Sequence, residues 1–63
     1  MNRDQIVEIV YLDKHGKITQ RNIRIREIKD GVIRATCLAT NAPRVFRVEN
    51  ILAWRPAKIA YAV

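Results

Sequence analysis

The chain has 63 residues, which is enough for one domain and leaves no room for a second hydrophobic core. Its single cysteine excludes a disulfide framework and multi-cysteine zinc sites, and a lone thiol is typical of a reducing compartment. Twelve basic residues against six acidic ones give a net charge of +6, which favours polyanionic partners, nucleic acid before an anionic membrane surface.

Apolar residues recur at every second position along most of the chain, and this period predicts β-strands rather than helices. A first strand is expected near 5–12, rich in β-branched residues, followed by a glycine-containing turn at 13–17. The second strand is expected near 18–28, with Ile23 and Ile25 on its inward face.

The third predicted strand follows a tight turn at 29–31 and runs near 32–39. A further turn at 40–43 leads to the fourth strand. The inward face of the third strand is expected to carry Ile33, Ala35, Cys37 and Ala39.

The fourth strand is expected near 44–48, with Phe46 and Val48 pointing inward. One short helical turn within 49–54 then precedes a closing strand. A meander of five short strands removes its edges by closing on itself. The sequence therefore predicts an all-β fold, a small five-stranded SH3- or Sm-like barrel, as a single domain over 1–63.

Two apolar stretches do not fit a tidy monomer. The tail, residues 58–63, is apolar, and the first strand carries apolar side chains on both faces. These are Val7, Ile9 and Tyr11 on one face and Ile6, Val10 and Leu12 on the other. Either the two stretches are buried against each other, or they form an interface, as in a homodimer.

Residues with the chemistry for catalysis are few. His15, the only histidine, lies in a turn, and Cys37 is expected to be a small core residue. The carboxylates are scattered, so we expect no enzyme, no metal site and no cofactor. The apolar stretch 6–12 is too short to span a membrane and no signal-peptide pattern is present, so a cytoplasmic location is expected.

The arginines are better candidates for function, because the planar guanidinium matches phosphate geometry. By strand phase, Arg21 and Arg44 each lie on the inward face of their strand, and we expect both at the barrel rim. There they would either bind an anion or pair with Glu27 or Glu49. Trp54 is either a lid over the core or a platform for stacking bases. The arginines expected on outward, solvated faces are Arg24, Arg26 and Arg47.

Residues 9–25, 30–39 and 44–51 together resemble the WYL domain of bacterial transcription regulators, a resemblance that covers roughly 6–55. The best segment, RVFRVENI, is similar to the family's Arg-x-Phe-Arg-Leu-Asp-Arg-Ile run. The Trp-Tyr-Leu signature itself is replaced. At its three positions stand Val32, Ile33 and Arg34.

The resemblance implies an Sm-like barrel that senses nucleotides or single-stranded nucleic acid. We therefore predict a non-enzymatic regulatory module that binds a phosphate-bearing ligand and is linked to transcription regulation. Arg21 and Arg44 are predicted to clamp phosphate, with Arg47 and Arg24 steering it and Tyr11 forming a wall or donating its hydroxyl. The alternative is a protein-interaction module that docks through the first strand and the apolar tail.

Overall fold

The alternating sequence forms one antiparallel sheet of five strands in a computed structural model that describes residues 1–57. The all-β prediction is confirmed. In chain order the elements are β1 (Ile6–Leu12), β2 (Ile18–Lys29), β3 (Val32–Cys37), β4 (Ala42–Arg47), a 3-10 helix (Val48–Asn50) and β5 (Ile51–Pro56). The order across the sheet is β4-β3-β2-β1-β5, so β4 and β5 are the edges of an open sheet. Within the described residues, no helix is long and apolar enough to cross a membrane.

The hairpin turns lie where glycine and its neighbours predict them. In the β2–β3 turn, Asp30 and Gly31 both have a positive φ, 53° and 75°, the combination found in type I′ turns. Gly16, in the β1–β2 turn, has a φ of 77°, which other residues adopt only with strain. These turns set the registers that place β1, β2 and β3 side by side.

One face of the sheet holds the core. Val7 in β1 lies opposite Ile23 in β2, which lies opposite Cys37 in β3, so one row of buried side chains crosses three strands. Cys37 is 1% exposed, as expected for a core thiol. No polar or charged residue within 1–57 is buried. The core cluster consists of Val7, Ile9, Ile23, Ile25, Ile33, Ala35 and Phe46.

The sheet bends strongly, which brings β1 against β4 across the inner face. The rings of Tyr11 and Phe46 meet edge to face, with centroids 4.9 Å apart and an interplanar angle of 80°. The Tyr11 hydroxyl oxygen also accepts a hydrogen bond of 3.3 Å from the backbone N–H of Arg47. In the sheet order, β1 and β4 are separated by two strands, so a flat sheet would not allow these contacts.

A β-bulge interrupts the pairing of β2 with β3. Ile25 lies opposite Ala35 and Glu27 lies opposite Arg34, which leaves Arg26 as the extra residue on β2. Because a bulge breaks strict alternation, simple counting along β2 does not give the position of Arg26 relative to β3.

The turn between β3 and β4 begins earlier than predicted. β3 ends at Cys37, so Ala39 is exposed in the turn and does not point inward as expected. β4 then begins at Ala42 and includes Pro43. A proline is tolerated there because β4 is an edge strand, so one of its two hydrogen-bonding edges has no neighbouring strand.

The helical turn also differs from its predicted position. It begins at Val48, which is 38% exposed instead of pointing inward, because the 3-10 turn ends the strand alternation after Arg47. Residues 51–54, expected in the helical turn, belong to β5.

The outer face of β1 is only partly covered. Ile6, Val10 and Leu12 are each half-buried. The predicted cover, the apolar tail 58–63, lies outside the described residues, so its packing against β1 stays a prediction.

The core makes a direct stability prediction. Ile23→Ala should cost about 2–5 kcal/mol in the free energy of unfolding, because Ile23 is fully buried between neighbours on two strands. Ile18→Ala is the matched control: Ile18 is 67% exposed and its truncation should change the free energy by about 0.5 kcal/mol or less. Urea denaturation followed by circular dichroism measures both, and equal losses would contradict this core.

The β1–β2 turn predicts a pH dependence. Oδ1 of Asp13 accepts backbone hydrogen bonds from His15 at 2.8 Å and Lys17 at 2.9 Å. The bond from Lys17 is the main cause that lowers the pKa of Asp13 from its usual 3.8; desolvation opposes it, and the bond from His15 and the charges of both residues support it.

Since the folded pKa lies below the unfolded one, ionised Asp13 stabilises the fold above pH 3.8, and this contribution is lost as the pH falls through the folded value. Asp13→Asn should therefore show a smaller loss of stability on acidification. Urea midpoints at about pH 5 and about pH 2.5 measure this difference. An unchanged acid sensitivity in the variant would contradict the assigned role.

Candidate anion-binding site

The charged residues are unevenly paired. Three surface ion pairs are present among the described residues, and surface pairs of this kind contribute about 0–1 kcal/mol each. They join Arg26 Nη1 to Asp4 Oδ1 at 4.0 Å, Arg47 Nη1 to Glu49 Oε1 at 3.4 Å, and Arg55 Nε to Glu8 Oε1 at 2.7 Å. Among the described residues, four arginines of β2, β3 and β4 have no carboxylate oxygen within 4.0 Å. They are Arg21, Arg24, Arg34 and Arg44.

Three arginines from three adjacent strands line one cavity. Arg26 of β2, Arg34 of β3 and Arg44 of β4 surround a volume of about 420 Å³. That volume lies within the range of small-ligand sites, about 300–1,000 Å³. The rest of its lining is neutral: Ala35, Thr36, Pro43 and Val45.

The register and the strand order explain how these arginines come to border one cavity. Arg34 lies opposite the exposed Val45 on the outer face, whereas Arg44 lies opposite the buried Ala35 and borders the cavity from the edge strand β4. The bulge inserts Arg26 on the other side of β3, where its Nε donates a hydrogen bond of 3.2 Å to Thr36 Oγ1. This bond fixes Arg26 along β3.

The electrostatics of this cavity favour an anion. Its lining contains three arginines and no carboxylate; Arg26 is paired with Asp4, whereas Arg34 and Arg44 have no carboxylate oxygen within 4.0 Å among the described residues. Glu27 lies opposite Arg34 in the register, yet no ion pair within 4.0 Å joins them. A bound phosphate would supply a negative charge to the unpaired arginines and accept paired hydrogen bonds from a planar fork.

Arg24 lies beside this cavity. On the outer face of β2 it is half-buried, opposite Ile6 on one side and Thr36 on the other, and Thr36 belongs to the cavity lining. Its predicted outward position is confirmed, and the structure places it next to the three arginines.

Arg21 lies apart from them. It is half-buried and opposite Ile9, so its predicted inward phase is confirmed. It lines a second cavity, of about 380 Å³, together with Cys37 and the start of the β3–β4 turn.

This second cavity affects the core thiol. Burial raises the pKa of Cys37, but hydrogen bonds outweigh this effect and the net pKa is lowered from its usual 9.0. The hydrogen bonds come from the side chain and backbone of Thr40, the backbone of Ala39 and the side chain of Arg21. Among the described residues, no ion pair within 4.0 Å joins Arg21 to Glu27 or Glu49.

Arg21 and Arg44 do not share a cavity. The register places Arg44 level with Ile25, and Ile25 is four residues from Arg21 along β2. In a flat sheet, Arg21 and Arg44 would therefore be separated by roughly 13 Å along the strands and roughly 10 Å across them. A ligand that contacts both must extend over several chemical groups, as the backbone of an oligonucleotide does.

Arg47 and Tyr11 are brought together through the backbone of Arg47. Its N–H bonds the Tyr11 oxygen, and its guanidinium is paired with Glu49. The Tyr11 oxygen is thus already used as an acceptor, and its own proton remains available for donation. Arg47 lines a third cavity, whose wall includes Val32, Val48 and the two acidic residues Asp30 and Glu49.

Arg34 and Arg26 were not singled out as site residues from the sequence. Counting outward from the Asp30–Gly31 turn places Arg34 opposite Glu27, as observed. The bulge at Arg26 has no comparable sequence signal, so the place of Arg26 in a cavity lining with Arg44 was not foreseeable. Among residues 1–57, no group of three or more histidine, cysteine, aspartate or glutamate side chains could hold a metal ion.

No family model, curated protein or solved structure matches the chain.

Proposed function

We propose that this protein is a non-enzymatic regulatory module of the WYL type that binds a phosphate-bearing ligand, a nucleotide or single-stranded nucleic acid. The observation that carries this proposal is the cavity lined by Arg26, Arg34 and Arg44 with no carboxylate in its wall. A link to transcription regulation follows from the resemblance to that family.

Charge supports the proposal at two ranges. The net charge of +6 attracts polyanions over about a Debye length, near 10 Å at moderate salt. At contact, guanidinium groups bind phosphate oxygens in pairs, which a lysine cannot reproduce. Arg24 beside the cavity and Arg21 farther along β2 extend the basic surface for a ligand with several phosphates.

We propose further that the sheet curls into an SH3- or Sm-like barrel. Its two edge strands, β4 and β5, are joined by the three residues Val48–Asn50. In a flat sheet these strands would be about 19 Å apart, whereas three residues of 3-10 helix span about 6 Å. The short connection and the Tyr11–Phe46 contact both favour a strongly curled sheet.

The interaction-module alternative has weaker support in the fold. The outer face of β1 is half-buried, and the tail lies outside the described residues. The two most exposed large apolar side chains, Ile18 at 67% and Val45 at 63%, lie on different strands of the sheet. Homodimer formation through β1 and the tail stays a prediction.

The site predicts a ranking of arginine variants. Arg44→Ala should weaken binding to a single-stranded oligonucleotide by about 1.5–3 kcal/mol, the value of a lost charge-assisted hydrogen bond. Arg44→Lys should recover part of this loss, because the charge returns without the fork. Arg24→Ala should cost less, since Arg24 borders the cavity. Anisotropy titrations of a labelled strand at several salt concentrations measure these affinities and should show a slope reduced by about one for Arg44→Ala.

Arg55→Ala is the matched control. It removes the same charge, but Arg55 does not line the cavity and is paired with Glu8. If Arg55→Ala and Arg44→Ala cost the same, the binding surface is diffuse and the cavity is not the site. If the unmodified protein binds no polyanion at low salt, the proposed function is wrong.

A further inference from the structure

Trp54 is the single tryptophan of the chain and lies on the edge strand β5. It is 43% exposed, so the described residues do not enclose it as a lid over the core would be enclosed. In the register it lies directly opposite Ile9, whose side chain is fully buried on the inner face. Directly opposed residues share a face, so the partly exposed indole lies on the inner face at the edge strand β5.

A cross-strand row connects Trp54 to Arg21. Ile9 pairs with Trp54 on one side and with Arg21 on the other, so the three residues form one row over β5, β1 and β2. Two strand spacings separate the ends of the row, about 10 Å between Cα atoms. Arg21 has no carboxylate oxygen within 4.0 Å in the described part of the chain. The row thus joins an exposed aromatic ring to a guanidinium.

The net charge of the molecule favours an anionic ligand over a second copy of the chain as the binding partner of this ring. A second copy would bring another net charge of +6 to the same face, which opposes association there. A nucleobase brings its own phosphate, and its π-face stacks on indole whatever the base. Arg55, the next residue on β5, lies on the opposite face and is paired with Glu8 at 2.7 Å, so Arg21 is the cation of this row.

We propose that Trp54 is a stacking platform for a nucleobase whose phosphates are held by the arginines. This inference rests on the proposed phosphate binding and adds that the ligand carries a base. It distinguishes a nucleotide or single strand from a plain polyanion such as polyphosphate.

The test compares two strands of equal length and charge: an oligothymidine, and an abasic deoxyribose-phosphate strand that carries no bases. Tryptophan emission, excited at the red edge of its absorption, reports Trp54 alone because the chain has no other tryptophan. Oligothymidine should quench this emission and bind about tenfold more tightly than the abasic strand, as expected for one stacked base. Thymidine monophosphate forms a third arm: quenching by it assigns a nucleotide site, and quenching by the oligomer alone assigns a strand site.

Variants separate stacking from general effects on the fold. Trp54→Ala should remove the tenfold preference for oligothymidine, while Trp54→Phe should retain part of it, because a smaller ring still stacks. Leu52→Ala is the matched control, an apolar side chain on the same strand that is 52% exposed, and it should leave the preference unchanged. A normal unfolding midpoint for each variant shows that the fold is retained.

Three outcomes would overturn the inference. If both strands bind equally and the emission is unchanged, phosphate binding stands and stacking is wrong. If the emission shifts with protein concentration in the absence of ligand, Trp54 belongs to a self-association surface instead. If neither strand binds, the proposed function itself fails, and the inference fails with it.

Discussion

Burial of one apolar face by a single bent sheet is the constraint on which the rest of this small protein depends. A chain of this length hides only about 60% of its unfolded surface, so it has little stability to spare. Its core is a set of branched side chains that cross the strands in rows, such as Val7 and Ile23. The edge-to-face contact of Tyr11 with Phe46 joins the two ends of that core, and the sheet must bend to allow it.

The same constraint determines where the charges lie. Because alternate residues of each strand point into the core, the polar residues between them are forced to the outer face or to the rim. No polar or charged residue of 1–57 is buried, which agrees with the high cost of burying an unpaired guanidinium. The arginines are therefore surface groups on a rigid sheet. Their positions are fixed by strand pairing, which is the arrangement that precise phosphate recognition requires.

Sequence periodicity, together with two glycines, was sufficient to predict the strands and two of the turns. The branched residues around Ile23 and the glycines at 16 and 31 predict β2 and its neighbours because these signals are local. The strand ends near Ala39 and Val48 were misplaced, since a strand stops where its neighbour stops pairing, and pairing is not a local property.

The site was less predictable than the fold for the same reason. Strand phase correctly placed Arg21 and Arg44 on inward faces, but phase alone cannot show that they line different cavities. The cavity that Arg44 shares with Arg26 and Arg34 depends on a bulge in β2 and on the β3–β4 register. Neither feature has a local sequence signal, because each is a property of the strand pairing.

If Arg34 and Arg44 bind one anion, a double-mutant cycle on binding of a single-stranded oligonucleotide will show coupling between them. Arg34→Ala, Arg44→Ala and the double variant should be non-additive by about 0.5–3 kcal/mol, as expected for residues that share a partner. The cycle of Arg34 with Arg55, which does not line the cavity, should be additive within about 0.5 kcal/mol. Additivity of Arg34 with Arg44 to the same degree would show independent surface charges and would contradict the account.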